Sequence, residues 1–246
     1  MGQNLTWRYH VRRARSEADL RATKVLRAKA FAGIGAANDS DKFDDVCHHI
    51  LIEDTTTQKL VGCFRLMHLN SGQDIGQSYS TQFYGLDALK SFSGRMMEIG
   101  RFCTDPDVRD PEILRVAWGA LTHYVDENAV QMLFGCSSFE GQDTERYQDT
   151  FALLKARYLA PKQRMPEVKA HRVFRYSEKA RQLDLARAQA NMPPLLRSYL
   201  LMGGWVSDHA VIDEELNTLH VFTGLEISAI PEARKRLLRA NAVKIA

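Results

Sequence analysis

The stretch that decides the reading is MMEIGRFCTDPDVRDPEILRVAW, residues 96–118. It reads as a strand, a charged loop and a helix. Glu98 and Arg101 fall inside the strand, with Gly100 between them, where apolar residues are the rule. Strict alternation puts Glu98 on the face of Met96, and Arg101 on the opposite face with Met97 and Ile99. A β-bulge at Gly100 would add one residue, bring both side chains onto one face and splay the strand from its neighbour, opening a slot. The plain alternative is a buried ion pair that holds the sheet. Such pairs stabilise weakly compared with apolar replacements, so a pair retained there points to function. The helix that follows has a natural start. Asp110 suits the N-cap, Pro111 the first helical position and Glu112 the positive end of the dipole. The backbone amides of Glu112 to Leu114, with Arg109 beside them, are expected to offer a phosphate site, although a capped helix start without a ligand is the commoner case.

Working outward, LTWRYHVRRA reads as a first strand and SEADLRATKVLRAKAF as an amphipathic helix capped by Ser16. The polar loop AANDSDKFDD leads to a hairpin, CHHILIED and KLVGCFRLMHL, turned by DTTTQ. A short helix is expected around YGLDALKSF. After the 96–118 unit come a strand, VQMLFGCSSF, and a helix, TERYQDTFALLKARYL. The order β-α-β-β-β-α-β-α predicts an α/β domain with a mixed twisted sheet, a splayed central strand and flanking helices. The single domain is expected to span 1–246, with a core over 1–160 and a basic, C-terminal extension over 161–246. In that extension MPPLLRSYLLMGGW reads as a short helix and a Gly-Gly turn, strand-like pieces follow, and PEARKRLLRANAV is a closing helix.

The composition, 45% hydrophobic and 26% charged, is that of an ordinary globular protein. Apolar runs are too short to span a bilayer, and the N-terminus lacks a signal-peptide core, so a cytoplasmic location is expected. The four cysteines are far apart in strand-like segments and read as buried small hydrophobes in a reducing compartment. The CHH run at 47–49 is not read as a metal site, because adjacent strand residues point to opposite faces. Net charge is +3, yet Lys155 to Arg197 holds eleven basic residues against three acidic ones. That segment should attract something acidic: nucleic acid, anionic lipid or an acidic protein. It has few aromatics for base stacking, which argues against nucleic acid.

Charges also occur where burial is expected at Asp41, Asp44 and Asp45 around Phe43, and at Arg65 within VGCFRLMHL. Taken together, DSDKFDDVCHHILI, GCFRLMH, EIGRFCTDPDVRD and LFGCSSFEG resemble the GNAT-type N-acyltransferases that make lyso-ornithine lipid from ornithine and a 3-hydroxyacyl carrier protein. MPPLLRSYLLMGGWVSDHAVIDEELNTLHVF is similar to that family's C-terminal signature, so the likeness runs from about 38 to 225. A weaker likeness extends to acyl-homoserine-lactone synthases, through Asp41 and Asp44, Arg65, and Glu98 with Arg101. One departure is informative. Acetyl-CoA-dependent relatives carry a glycine-rich pyrophosphate loop before the central helix, and here the corresponding run is RDPEIL.

The resemblance implies transfer of a 3-hydroxyacyl chain from a thioester to the α-amine of an amino acid, ornithine or glutamine, with no tightly bound cofactor and no metal. The donor is the acyl-phosphopantetheine of an acyl carrier protein, docked on the basic segment, and an anionic membrane surface is a peripheral partner. Glu98 is the expected general base. Arg101 and Arg65 are expected on the acceptor carboxylate. Asp44, with Asp41 or Asp45, holds an ammonium group or braces the arginines, beside Phe43. Cys103, Arg109, Phe134 and Ser137 are expected along the acyl-pantetheine arm. The competing readings are a lactone synthase and a non-catalytic acyl-carrier or lipid-binding protein; the former is opposed by the MPPLLRSYLLMGGW region, the latter by costly buried charges without a task.

Overall fold

The computed structural model describes residues 8–31, 39–180 and 182–245. They group into two compact units. One takes the chain up to Leu66, Arg101–Asn128 and the chain from Lys235 onward; the other takes Met67–Gly100 and Ala129–Arg234.

In the first unit β1 (Tyr9–Arg13) pairs antiparallel with β2 (His48–Asp54), which pairs antiparallel with β3 (Leu60–Leu69). The C-terminal half of β5 (Met96–Thr104) adjoins β3. Alternation with the DTTTQ turn makes this hairpin: Asp54 Oδ1 accepts from the amides of Thr56 and Thr57 and fixes the turn. Helix α1 (Glu17–Phe31) begins with Ser16 Oγ accepting from Asp19 N, and α2 (Pro111–Glu127) with Asp110 Oδ1 accepting from Glu112 N. The residues after α6 (Glu232–Ala240) return to α2, where Val243 N donates to the Gly119 carbonyl.

In the second unit the start of β5 runs parallel to β6 (Met132–Glu140), with Met96 beside Met132, Met97 beside Leu133 and Glu98 beside Phe134. β6 then pairs antiparallel with β10 (Thr218–Glu226), β10 with β9 (Trp205–Asp213), and β9 with β8 (Val173–Phe174). The expected extension over 161–246 therefore supplies three strands to this unit's sheet, and the strand-like pieces are two nine-residue strands. A two-residue ladder joins β4 (Tyr84–Gly85) and β7 (Glu167–Val168). In place of the short helix expected around YGLDALKSF there are that strand and a single 3₁₀ turn at Asp87–Leu89.

Period two separates the faces of this half-sheet. Phe139, Leu219, Val221 and Ala210 pack under α3 (Gln148–Arg157), α4 (Leu185–Ala190) and α5 (Pro194–Leu201), through Phe151, Leu154, Ala188, Leu196 and Leu200. The other face carries Phe134, Cys136, His220 and Phe222, over which the segment from Tyr79 to Tyr84 passes. Trp205 lies on it across Gly224, where a Cβ would come within 2.3 Å of the indole. Among the described residues no helix is long and apolar enough to cross a membrane.

Candidate active site

Strand β5 carries its two anomalous residues into different surroundings. In the first unit Arg101 adopts φ +50, a left-handed conformation that costs a non-glycine residue about 1–2 kcal/mol. Two ion pairs hold it there: Nε donates to Asp39 Oδ2 at 2.9 Å, and a terminal nitrogen to Asp41 Oδ2 at 3.1 Å. The special backbone therefore sits at Arg101 itself, and Gly100, where the bulge was expected, is not among the positive-φ glycines. On β6 it is Gly135 that takes φ +156, because a Cβ there would lie 2.4 Å from the Ile99 carbonyl oxygen.

Arg101 belongs to a network. Asp41 takes both terminal nitrogens of Arg65, at 2.6 and 2.8 Å, and Asp44 takes one of them at 2.7 Å and Arg27 at 2.6 Å. Asp39 bonds Arg27 as well as Arg101. Three guanidinium groups thus meet three carboxylates. Arg27, Arg65 and Asp44 have side chains only 1%, 2% and 3% exposed, whereas Asp41 is 21% exposed. Burial on its own would raise the Asp44 carboxyl, but Arg27 and Arg65 outweigh it and hold the group well below the carboxylate range. For Asp41 burial is likewise outweighed, by Arg65 and Arg101. His49, buried, has its pKa lowered by desolvation, and its Nε2 lies 2.9 Å from the Asp44 carbonyl. Phe43 packs under the Arg65 guanidinium, 5.6 Å from the ring centroid. Asp45 is exposed. Of the two roles expected for Asp44, the geometry is that of a brace.

In the second unit Glu98 is buried and accepts from neutral donors. Its Oε2 accepts from Tyr79 N at 2.7 Å, and its Oε1 from Ser80 N at 2.8 Å and from Ser80 Oγ at 2.5 Å. Ser80 Oγ lies 3.5 Å from Cys136 Sγ. Phe134 shares this face and stacks on Phe222 at 5.9 Å. Ser137 turns to the opposite, helix-covered face, where its Oγ accepts from Thr223.

The remaining expected residues lie elsewhere in the first unit. Cys103 packs with Leu26 and Cys63, sulfur to sulfur at 3.6 Å, and the Cys63 contact together with burial pushes its thiol well up. Arg109 is exposed in the loop before α2. The anion site expected there is spent internally: Asp110 accepts from Glu112 N with its side chain and from Ile113 N with its carbonyl, and its carboxylate also takes the Tyr9 hydroxyl at 2.6 Å. Among the described residues no group of three or more His, Cys, Asp or Glu side chains is arranged to hold a metal ion.

Sequence reasoning missed Arg27 and Asp39 in the network, and Ser80 and the Tyr79 amide around Glu98. Arg27 had a signal: Thr23, Leu26 and Ala28 make its neighbourhood on α1 a buried one, which an arginine enters only with partners.

Comparison with known proteins bears on the family and the fold. The model of the Acetyltransferase (GNAT) domain matches residues 25–119. An L-ornithine N(alpha)-acyltransferase of Rhodobacter capsulatus is 31% identical, over 92% of this chain and 93% of that protein. One of Brucella abortus is 29% identical, over 89% of this chain and 85% of that protein. The solved structure of FeeM, an N-acyl amino acid synthase from uncultured soil microbes, aligns with a TM-score of 0.53 at 11% identity, covering 93% of this chain and 99% of that one, and so shares the fold. With a mixed α/β sheet, a GNAT-type segment and a full-length relative above 30% identity, the chain is an acyltransferase and belongs to the L-ornithine N(alpha)-acyltransferase family.

Proposed function

We propose that this acyltransferase moves a 3-hydroxyacyl chain from the phosphopantetheine thioester of an acyl carrier protein to the α-amine of ornithine. The observation that carries the reading is Glu98: a carboxylate buried inside a strand and oriented by the Tyr79 amide, the Ser80 amide and the Ser80 hydroxyl. The relatives' names supply ornithine as the acceptor. An ammonium group must lose a proton before its nitrogen can attack. Glu98 takes that proton, directly or through a water, the amine nitrogen adds to the thioester carbonyl, and the pantetheine thiol leaves with a proton as the amide forms. A carboxylate accepts through both oxygens, and these three donors fix its orientation toward the amine. No cysteine is needed as a nucleophile.

Two further features support a carrier-bound donor. The first turn of α2 caps itself with Asp110 and presents a carboxylate where a pyrophosphate would need amides. Exposed cations over the basic segment, among them Lys155, Lys162, Lys169 and Lys179, form a surface on which an acidic carrier protein docks and which an anionic lipid surface also attracts; Arg181 of that segment lies outside the described residues. The test is incubation of the protein with a 3-hydroxyacyl carrier protein or the matching acyl-CoA and, in separate reactions, ornithine, glutamine or S-adenosylmethionine, followed by mass spectrometry. N-acyl-ornithine from the carrier-bound donor is expected; N-acyl-glutamine, a lactone from S-adenosylmethionine, or no product overturns the reading.

A further inference from the structure

On the face of β6, β10 and β9 that continues from Glu98 on β5, His209 is a polar group with no task in the mechanism above. Between the pairs Val221–Ala210 and Thr223–Val206, three residues of β9, Ser207, Asp208 and His209, stand against Phe222 alone. The irregularity is built, not frayed. Ser207 Oγ takes over the ladder by accepting from Phe222 N at 3.1 Å and donating to the His209 carbonyl at 2.7 Å, while the Tyr176 hydroxyl donates to the Ser207 carbonyl. Bulges of this kind re-aim side chains, and here the one re-aimed is His209, whose ring lies 5.2 Å from that of Tyr84.

The Nδ1 of His209 is 2.7 Å from Asp208 Oδ1. A carboxylate only accepts, so Nδ1 carries the hydrogen and Nε2 is a bare acceptor. That Nε2 is fully buried and has no hydrogen-bond partner among the described residues. Leaving such an atom unsatisfied is costly, and native proteins keep few of them without a water or a ligand to meet them. Its surroundings say which ligand. Tyr84 packs on Phe222 at 5.6 Å, and Phe222 in turn packs on Phe134 and Trp205, each at 5.9 Å. A wall of rings with this acceptor among them fits an aliphatic chain that carries a hydroxyl; a charged amino acid would lose its hydration there without compensation.

We propose that His209 Nε2 accepts a hydrogen bond from the hydroxyl group of the acyl chain, so that this face selects hydroxylated donors over plain ones. The inference rests on the acyl-transfer reading above. Burial outweighs the pull of Asp208 and lowers the pKa of His209, which keeps the ring in the accepting form.

The experiment offers the wild type and His209→Phe an equimolar mixture of 3-hydroxyacyl and saturated acyl carrier proteins of equal chain length, with ornithine, and reads the product ratio by mass spectrometry. The wild type is expected to favour the hydroxylated donor by about tenfold or more, since a site built to bond a hydroxyl rejects the analogue lacking it, and His209→Phe is expected to bring the ratio close to one. An unchanged ratio in a His209→Phe protein with a wild-type circular dichroism spectrum, or equal use of both donors by the wild type, overturns this site and leaves acyl transfer standing. No acyl-ornithine from either donor overturns both. If His209→Phe fails to fold, the wild type labelled with ¹⁵N-histidine decides: the Nε2 resonance moves with the free 3-hydroxy fatty acid and not with the saturated acid, and equal responses to the two sink the proposal.

Discussion

In the unit that holds Arg101, three arginines and three aspartates neutralise one another; in the unit that holds Glu98, a single carboxylate is met by two backbone amides and a hydroxyl. Both arrangements satisfy buried polar atoms, but they leave different things over. The ionic network closes on itself, and every member is needed because removing one uncovers a charge on another. Glu98 is positioned by two backbone amides and a hydroxyl. An ionic network of this kind serves as a frame, and a carboxylate oriented by neutral donors is suited to serve as a reagent. Two residues three apart on one strand illustrate how local partners, and not residue type, decide the role.

The widest break in this comparison comes from Glu98→Gln. It keeps the shape and removes the base, so turnover should fall by about 10²–10⁴-fold while circular dichroism stays that of the wild type. Near-normal turnover would take the reagent role from Glu98. Next in size is Asp44→Ala. It strands the buried Arg27 and Arg65 and should lower the unfolding free energy by about 3–5 kcal/mol in urea titrations; a loss below about 1 kcal/mol would show the network to be loosely coupled.

Acid sharpens the contrast further. Asp41 and Asp44 have folded pKa values below their unfolded ones, so their contribution is whole above about pH 4 and is lost as the pH falls through the folded values. His49 and His209 are depressed by burial; unfolded histidines bind protons that the folded ones refuse, so stability begins to decline below about pH 6.5. The urea midpoint should therefore drop between about pH 7.5 and pH 5.5 and more steeply below pH 4. A midpoint level across the first interval would count against buried neutral histidines. The smallest effect belongs to Cys103→Ala, which opens a small void beside Cys63 and should cost about 1 kcal/mol with kcat retained; a folded variant without activity would reopen nucleophilic catalysis.

Most of the architecture was legible because it rests on local rules. Asp110 and Pro111 start α2, Ser16 starts α1, and the DTTTQ turn makes its hairpin, each through a cap or turn that reads directly from residue type. The two long C-terminal strands were less legible, since their continuous burial erases the alternation that marks a strand. Glu98 was conspicuous as a charge in an apolar run. Its partners were not, because a backbone amide leaves no trace in a sequence. Residue type gave no sign that the left-handed backbone of β5 falls on Arg101, whose ion pairs offset the strain, or that Gly135 on the neighbouring strand takes a positive φ. Placing Phe134 and Ser137 together overlooked period two, which sends them to opposite faces.

The indole of Trp205, lying across Gly224 and against Phe222, gives this face a chromophore of its own. Emission from an indole follows the polarity of its neighbours, so a lipid tail settling against Phe222 would register as a change in colour and intensity. Occupancy can thus be followed optically in the unlabelled protein, before any chemistry takes place.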